Sequence, residues 1–295
     1  MDGSTVIAVP IALGAAAAFG GAGYLQHVAA HQAPPRGPLR PRLLWDLLQI
    51  RGFRWSIVLS ALAFAFQVSA LSLAPLALVQ PLLITQLIVF LGLVTVRQHR
   101  TQDRKLLLGA GLAAVGLTVF LLTSRPSPTP PGVQISGGAA LTLGLTLAGV
   151  VIAALVAASR LPSEWRSVCL AVACAVCYGV TAGLVRTLSL SGWGSLFQHW
   201  ELYAIVVIAP LGFLLNQNAF QNGVLGSVAV SIITVGDPIV SITVGAIWLG
   251  ETLAVGWGWT TAQVLSLLIT IAGTMLLAHR AQVVVDRAGQ SASAE

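Results

Sequence analysis

The chain has 295 residues, of which 56% are hydrophobic and only 8% charged. A soluble domain carries about 25% charged residues, so this composition excludes an ordinary globular enzyme or binding module. The formal net charge of +6 sits between apolar segments and reads as a membrane-orientation signal, not as a nucleic-acid surface.

A membrane-crossing helix takes about 20 apolar residues, and nine segments qualify. The first, 5–29, follows Met1-Asp-Gly-Ser-Thr5, which lacks the basic region of a secretory leader and predicts a retained span. It carries His27, and Gly14, Gly20, Gly21 and Gly23 would let another helix approach closely. A basic loop at 31–54 holds Arg36, Arg40, Arg42, Arg51 and Arg54. Within it, Leu39–Ile50 reads either as a helix lying flat on the membrane or as a solvated loop, with Pro41 confining any helix to its C-terminal part. Segments 55–73 and 76–96 follow, the second containing Gln80 and Pro81. Arg97, Arg100, Arg104 and Lys105 precede or open segment 105–123, and residues 124–135 form a Pro-rich linker.

Segment 136–158 leads through Arg160 and Arg166 to 167–189, which holds Arg186 and the three cysteines, Cys169, Cys174 and Cys177. Their spacing is neither a zinc nor a redox signature, so they read as small buried hydrophobes. Segment 201–216 is the shortest. It opens on Glu201 beside His199 and Trp200, read as interfacial anchors. It closes in Asn216-Gln-Asn218-Ala-Phe-Gln-Asn-Gly223, either a polar turn with helix caps or a set of amide ligands for a cation or substrate. Segments 224–249 and 257–278 complete the series. Arg280, Arg287 and a small polar tail at 281–295, expected to be disordered, end the chain.

Thirteen of the fifteen Lys and Arg residues fall on one side of such a bundle; only Arg125 and Arg186 lie towards the other. The positive-inside rule then predicts a multi-pass protein of the cytoplasmic membrane, with an extracytoplasmic N-terminus and a cytoplasmic C-terminus.

Asp237 interrupts an otherwise uncharged run from Gly226 to Gly250. A charge at mid-membrane costs about 2.5 kcal/mol or more on insertion scales, so such residues usually face a cavity or a partner. Pro238 removes a backbone donor and weakens the helix there. Asp237 reads either as a proton, cation or amine site, or as a hydrogen-bonding group for broken backbone. Arg186 and His27 are its candidate partners. Glu251 stands at a span end, where a charge is cheap. Gln67 and Gln86 read as interhelical glue.

Gln80-Pro81 superimposes on Asp237-Pro238, and at the same separation Gly116 falls on Gly273. By the topology above the two matched spans run in opposite directions. The fold expected is therefore an all-α polytopic membrane protein with about nine transmembrane helices in two inverted repeats, a common plan of secondary transporters. The first repeat covers 1–123 in four spans, the second 136–280 in five. Gln80 becomes the neutral counterpart of Asp237. The candidate site is Asp237, Gln80, Asn216, Asn218, His27 and Arg186, with helix breaks at Pro81 and Pro238. No nucleophile–base pair, zinc spacing or nucleotide-binding loop stands at a convincing position, so no enzyme activity, cofactor or assigned metal set is expected.

The run Ala70–Pro81, and the run from Asp237-Pro238 to Leu249-Gly250-Glu251, resemble the drug/metabolite transporter superfamily, EamA-like. Its members place a proline in the helix after an Ala-rich turn and end that helix in Gly-Glu. Here only the second half keeps Gly-Glu; the first has Val94-Thr95. The family's usual form has ten spans, and this chain lacks one near its start. Nine spans with the basic 31–54 loop look closest in layout to the NIPA-type magnesium transporter branch. The resemblance implies a permease moving a small solute by alternating access through a cavity between the repeats, proton-coupled or facilitative. Magnesium transport is the alternative, and a non-transporting, lipid-handling membrane protein is the alternative of another class. Expected partners are the substrate or cation and the lipid bilayer, with no nucleic acid; the oligomeric state, a homodimer included, stays open.

Overall fold

The computed structural model describes residues 3–32, 48–97, 104–125, 137–191, 193–221 and 226–292. Ten α-helices and one 3₁₀ turn account for almost all of them, with no strand among the described residues. In order they are α1 (Gly3–Gln32), α2 (Arg51–Leu73), α3 (Leu76–Leu83), α4 (Gln86–Arg97), α5 (Arg104–Ser124), α6 (Gly137–Arg160), α7 (Ser163–Ser191), the 3₁₀ turn (Trp193–Gln198), α8 (Trp200–Gln221), α9 (Gly226–Trp248) and α10 (Trp257–Ala292).

Six of these helices are long and apolar enough to cross a membrane: Gly3–Gln26, Arg51–Leu73, Leu141–Arg160, Trp165–Ser191, Trp200–Ala219 and Trp257–Leu276. Three shorter apolar stretches, Leu76–Phe90, Leu108–Ser124 and Ile232–Trp248, pack among them. In hydrocarbon every backbone polar group needs an internal partner, which is why the chain is built of helices. The outward faces stay apolar, with Val58, Leu112, Leu145, Ile152 and Val207 exposed.

The helix α3 lies at the centre. All eight of its residues are buried, and it packs against α1, α9 and α5. Leu76, Val79 and Leu82 share one core cluster with Ala8 and Ala12 of α1, Leu184 of α7 and Val244 of α9. α7 is the buried hub of the C-terminal part, packing on α8, α9 and α6.

Two close pairings recur. α1 packs on α2 and α4, as α7 packs on α8 and α9, while α5 packs chiefly on α10. The α5–α10 crossing is reciprocal. A Cβ added to Gly116 would stand 2.6 Å from Thr270 N and 2.7 Å from Ser266 O. One added to Gly273 would collide with Ala113 N and stand 2.8 Å from Gly109 O. Only glycine admits backbones this near. Gly109, Ala113 and Gly116 repeat the spacing of Ser266, Thr270 and Gly273, so each helix presents the same positions to the other.

Sequence and structure part at three places. The apolar segment 76–96 is two helices, not one. α10 continues to Ala292, through the stretch assigned to a disordered tail, because no proline interrupts it after Trp257. Pro238 does not break its helix, since α9 runs unbroken from Gly226 to Trp248. Most of the 31–54 loop, including Leu39–Asp46, and most of the 124–135 linker lie outside the described residues.

Candidate functional site

The α2–α3 corner turns on Ala74-Pro75. A residue before proline is pushed to extended backbone, and Ala74 sits at φ −145°, ψ 155°. Pro75 then caps α3, its carbonyl accepting from Leu78 N at 3.0 Å and Val79 N at 3.2 Å. The corner leaves open carbonyls at the end of α2 and open N–H groups at the start of α3. Both are met from the second half of the chain. Arg186 Nη1 donates to Leu71 O at 2.6 Å, and Leu76 N–H donates to Glu251 Oε1 at 3.1 Å. The two charged groups face each other, with Arg186 Nε 3.6 Å from Glu251 Oε1. A cation at a helix C-terminus and a carboxylate at a helix N-terminus each suit the local dipole.

Glu251 reaches this place because Gly250, at φ +63°, turns the chain back so that Glu251 N bonds Gly245 O at 3.0 Å. Burial pushes the Glu251 carboxyl up from its ordinary value, against the opposing pull of the Leu76 N–H and of Arg186. Two expectations are corrected here. Glu251 is not a cheap interfacial charge but is 4% exposed. Arg186 pairs with Glu251, whereas Asp237 lies about 16 Å along α9 from its end at Trp248.

Asp237 finds its hydrogen bond one turn away. Ser241 Oγ lies 3.0 Å from Asp237 Oδ1 and 2.8 Å from Asp237 O. It also lies 3.5 Å from Gly179 O of α7.

In α3, Gln80 is fully buried, and neither its Oε1 nor its Nε2 has a hydrogen-bond partner among the described residues. Such an amide costs about 1–3 kcal/mol per unmet group. Downstream of Pro81 the ladder tightens: Ile84 N bonds Pro81 O at 3.1 Å, and Thr85 N bonds Leu82 O at 3.2 Å. Thr85 Oγ1 also donates to Leu82 O at 2.7 Å. The helix stops and restarts at Gln86.

In α8, Asn216 Oδ1 is buried without a hydrogen-bond partner among the described residues, and Asn218 Nδ2 donates to Leu214 O at 2.8 Å. Between them Gln217 Nε2 donates to Gln26 Oε1 at 2.9 Å, and Gln26 Nε2 to Ser60 Oγ at 3.2 Å. This chain ties α8 to α1 and α2. It joins Gln217, inside the polar run, to Gln26, beside His27; sequence reading singled out neither glutamine. The side chain of His27 lies outside the described residues. The polar residues therefore form separate groups along the bundle: Arg186 with Glu251, Asp237 with Ser241, Gln80 alone, and Gln217 with Gln26.

These features define a multi-pass α-helical membrane protein with polar and charged groups buried inside its bundle. No family model matches the chain, and no solved structure matches it. It is similar to an uncharacterized protein of Corynebacterium glutamicum, 26% identical over 284 residues, which cover 94% of this chain and 96% of that one.

Proposed function

We propose that the chain is a secondary transporter that moves a small organic solute across the cytoplasmic membrane by alternating access. Its nine spans form two inverted repeats, with the N-terminus outside. The observation that carries this reading is Gln80. A fully buried carboxamide without a hydrogen-bond partner among the described residues, in the central helix of an apolar bundle, destabilises the resting protein and is useful where a solute's polar groups meet it. Asp237, at the same place in the other repeat and bonded by a serine of its own helix, is the coupling group for a proton or an amine. The reciprocal Gly116 and Gly273 contacts support the repeat. So does the shared pairing of α1 and α7, with α6 as the helix that has no counterpart. Among the described residues no group of three or more His, Cys, Asp and Glu comes together, so nothing there favours a divalent cation over an organic solute.

The test is flux. Liposomes containing the protein and the pH dye pyranine are offered amino acids, amines and small organic anions one at a time; a parallel set carries a magnesium dye. At least one organic solute is expected to enter faster than in protein-free liposomes. Gln80→Leu should slow it about tenfold, the effect of roughly one lost hydrogen bond. Asp237→Asn should remove the accompanying pH change. Magnesium entry with no organic solute moving would transfer the site to a divalent ion. No flux of any kind would overturn transport and favour a lipid-handling role.

A further inference from the structure

Away from Gln80 and Asp237, a cleft of about 550 Å³ opens between α6, α7, α8 and the end of α9. This volume lies in the range of small-molecule sites, which are apolar with a few convergent polar groups. Its wall is apolar along most of its length, with Leu145 and Ala148 from α6, Val180 from α7 and Ile208 from α8. The polar atoms gather at one end. α7 finishes there at Ser191, α8 begins at Trp200 and α9 finishes at Trp248, opposite the end that holds Arg160 and Arg166.

Two side chains lining the cleft carry buried polar atoms without a hydrogen-bond partner among the described residues: Glu201 Oε2, an acceptor, and Trp248 Nε1, a donor. The residues are 7% and 6% exposed. The nearest recorded charge on Glu201 is His199, whose Nδ1 stands 3.7 Å from Oε2, beyond hydrogen-bond reach. Glu201 Oε2 thus has an ion-pair contact with His199 only when that ring is protonated, and no hydrogen bond; a cation brought to such a carboxylate in a low-dielectric cleft is attracted far more strongly than in water.

We infer that this cleft binds an apolar-bodied organic amine, its body along α6 and α7 and its ammonium group at Glu201, with the Trp248 N–H donating to an acceptor on the same molecule. The volume suits one small molecule. The inference does not depend on transport, because it concerns equilibrium binding at residues other than Gln80 and Asp237.

The probe is 1-naphthylmethylamine, titrated calorimetrically into the protein in phosphatidylcholine nanodiscs, with protein-free discs subtracted. The neutral isostere 1-naphthalenemethanol and the acid 1-naphthoic acid serve as comparisons. The amine is expected to bind about tenfold or more tightly than the alcohol, as a charge-assisted contact implies, and the acid not at all. Glu201→Gln should erase the amine's advantage while leaving the alcohol's affinity unchanged. Trp248→Phe tests the donor: it should weaken the alcohol, whose oxygen can accept from the indole N–H, and leave the ammonium form of the amine, which carries no acceptor, unchanged. Ala148→Trp, at an exposed position that tolerates bulk, should block the cleft and abolish both without unfolding the protein. Equal binding of amine and alcohol to the wild type, or amine affinity within about twofold in Glu201→Gln, would overturn the site. Loss of amine binding in discs containing phosphatidylethanolamine would assign the cleft to lipid and overturn the small-solute reading. Binding without flux in the pyranine liposomes would leave this site standing and remove transport; flux without binding would do the reverse.

Discussion

The Gln80-Pro81 region and the Asp237-Pro238 region carry the same polar-then-proline pair and end differently. After Pro81 the helix tightens, stops at Leu83 and restarts at Gln86. After Pro238 it continues without interruption to Trp248. Proline removes one rung of the ladder in both. The freed carbonyls are those four residues before each proline, Ala77 O and Thr234 O. Beyond Asp237, Ser241 Oγ lies against Asp237 O and Oδ1 within a continuous helix. Beyond Gln80 the backbone passes to three-residue hydrogen bonds, and Thr85 donates to Leu82 O. Proline marks where a helix is weak; it does not by itself decide whether the helix breaks.

A second asymmetry separates the halves. Gly250-Glu251 of the second half caps the start of α3 in the first. At the matching separation the first half has Val94, which offers no carboxylate. The first half's central helix therefore depends on the second half's charge.

The largest effect should come from removing that dependence. Glu251→Ala or Arg186→Met alone leaves a buried charge without its partner and should cost about 3–5 kcal/mol. The paired change Arg186→Met with Glu251→Ala should cost clearly less than the sum of the two single changes. Unfolding in detergent, followed by a denaturant titration, reads this directly. Additive losses would mean that the two side chains act independently.

A smaller effect of opposite sign is expected at Gln80. Gln80→Leu removes an unmet amide of similar size and should raise stability by about 1–3 kcal/mol in the same titration, even as flux falls. A loss of stability would show that Gln80 is structural, and would close the comparison with Asp237.

The smallest contrast tests the break itself. Thr85→Val and Ser241→Ala each delete one side-chain hydrogen bond, worth about 0.5–1.5 kcal/mol. Ser241→Ala should also loosen α9 at Asp237, detected as faster amide hydrogen exchange over residues 237–241. Thr85→Val should leave exchange unchanged around α3 and α4, which are already separate helices.

Much of this architecture was legible beforehand. The all-helical build was legible, and six of the described helices are long and apolar enough to cross a membrane, because long uncharged runs must satisfy their backbone groups internally. Gly116 and Gly273 were legible as a matched pair from their positions, although not as a crossing of α5 on α10. The site was read less well. Arg186 was, with His27, a candidate partner of Asp237 because few other polar groups lie in apolar segments, and composition does not encode distance; it pairs with Glu251. The link between Gln217 and Gln26 spans 191 residues, and no local pattern announces it.

By itself, the sequence determined that this chain is a helical membrane protein and roughly where its helices run. Hydropathy and the cost of unmet backbone groups act locally, so composition and spacing suffice for that much. Only the tertiary structure decided the partners: Glu251 over the start of α3, Ser241 at Asp237, no hydrogen bond to Gln80 among the described residues, and Glu201 and Trp248 at one end of an apolar cleft. Those outcomes depend on which helices approach one another and at what depth, and the close packing of side chains across helices resolves that only when the whole bundle is assembled.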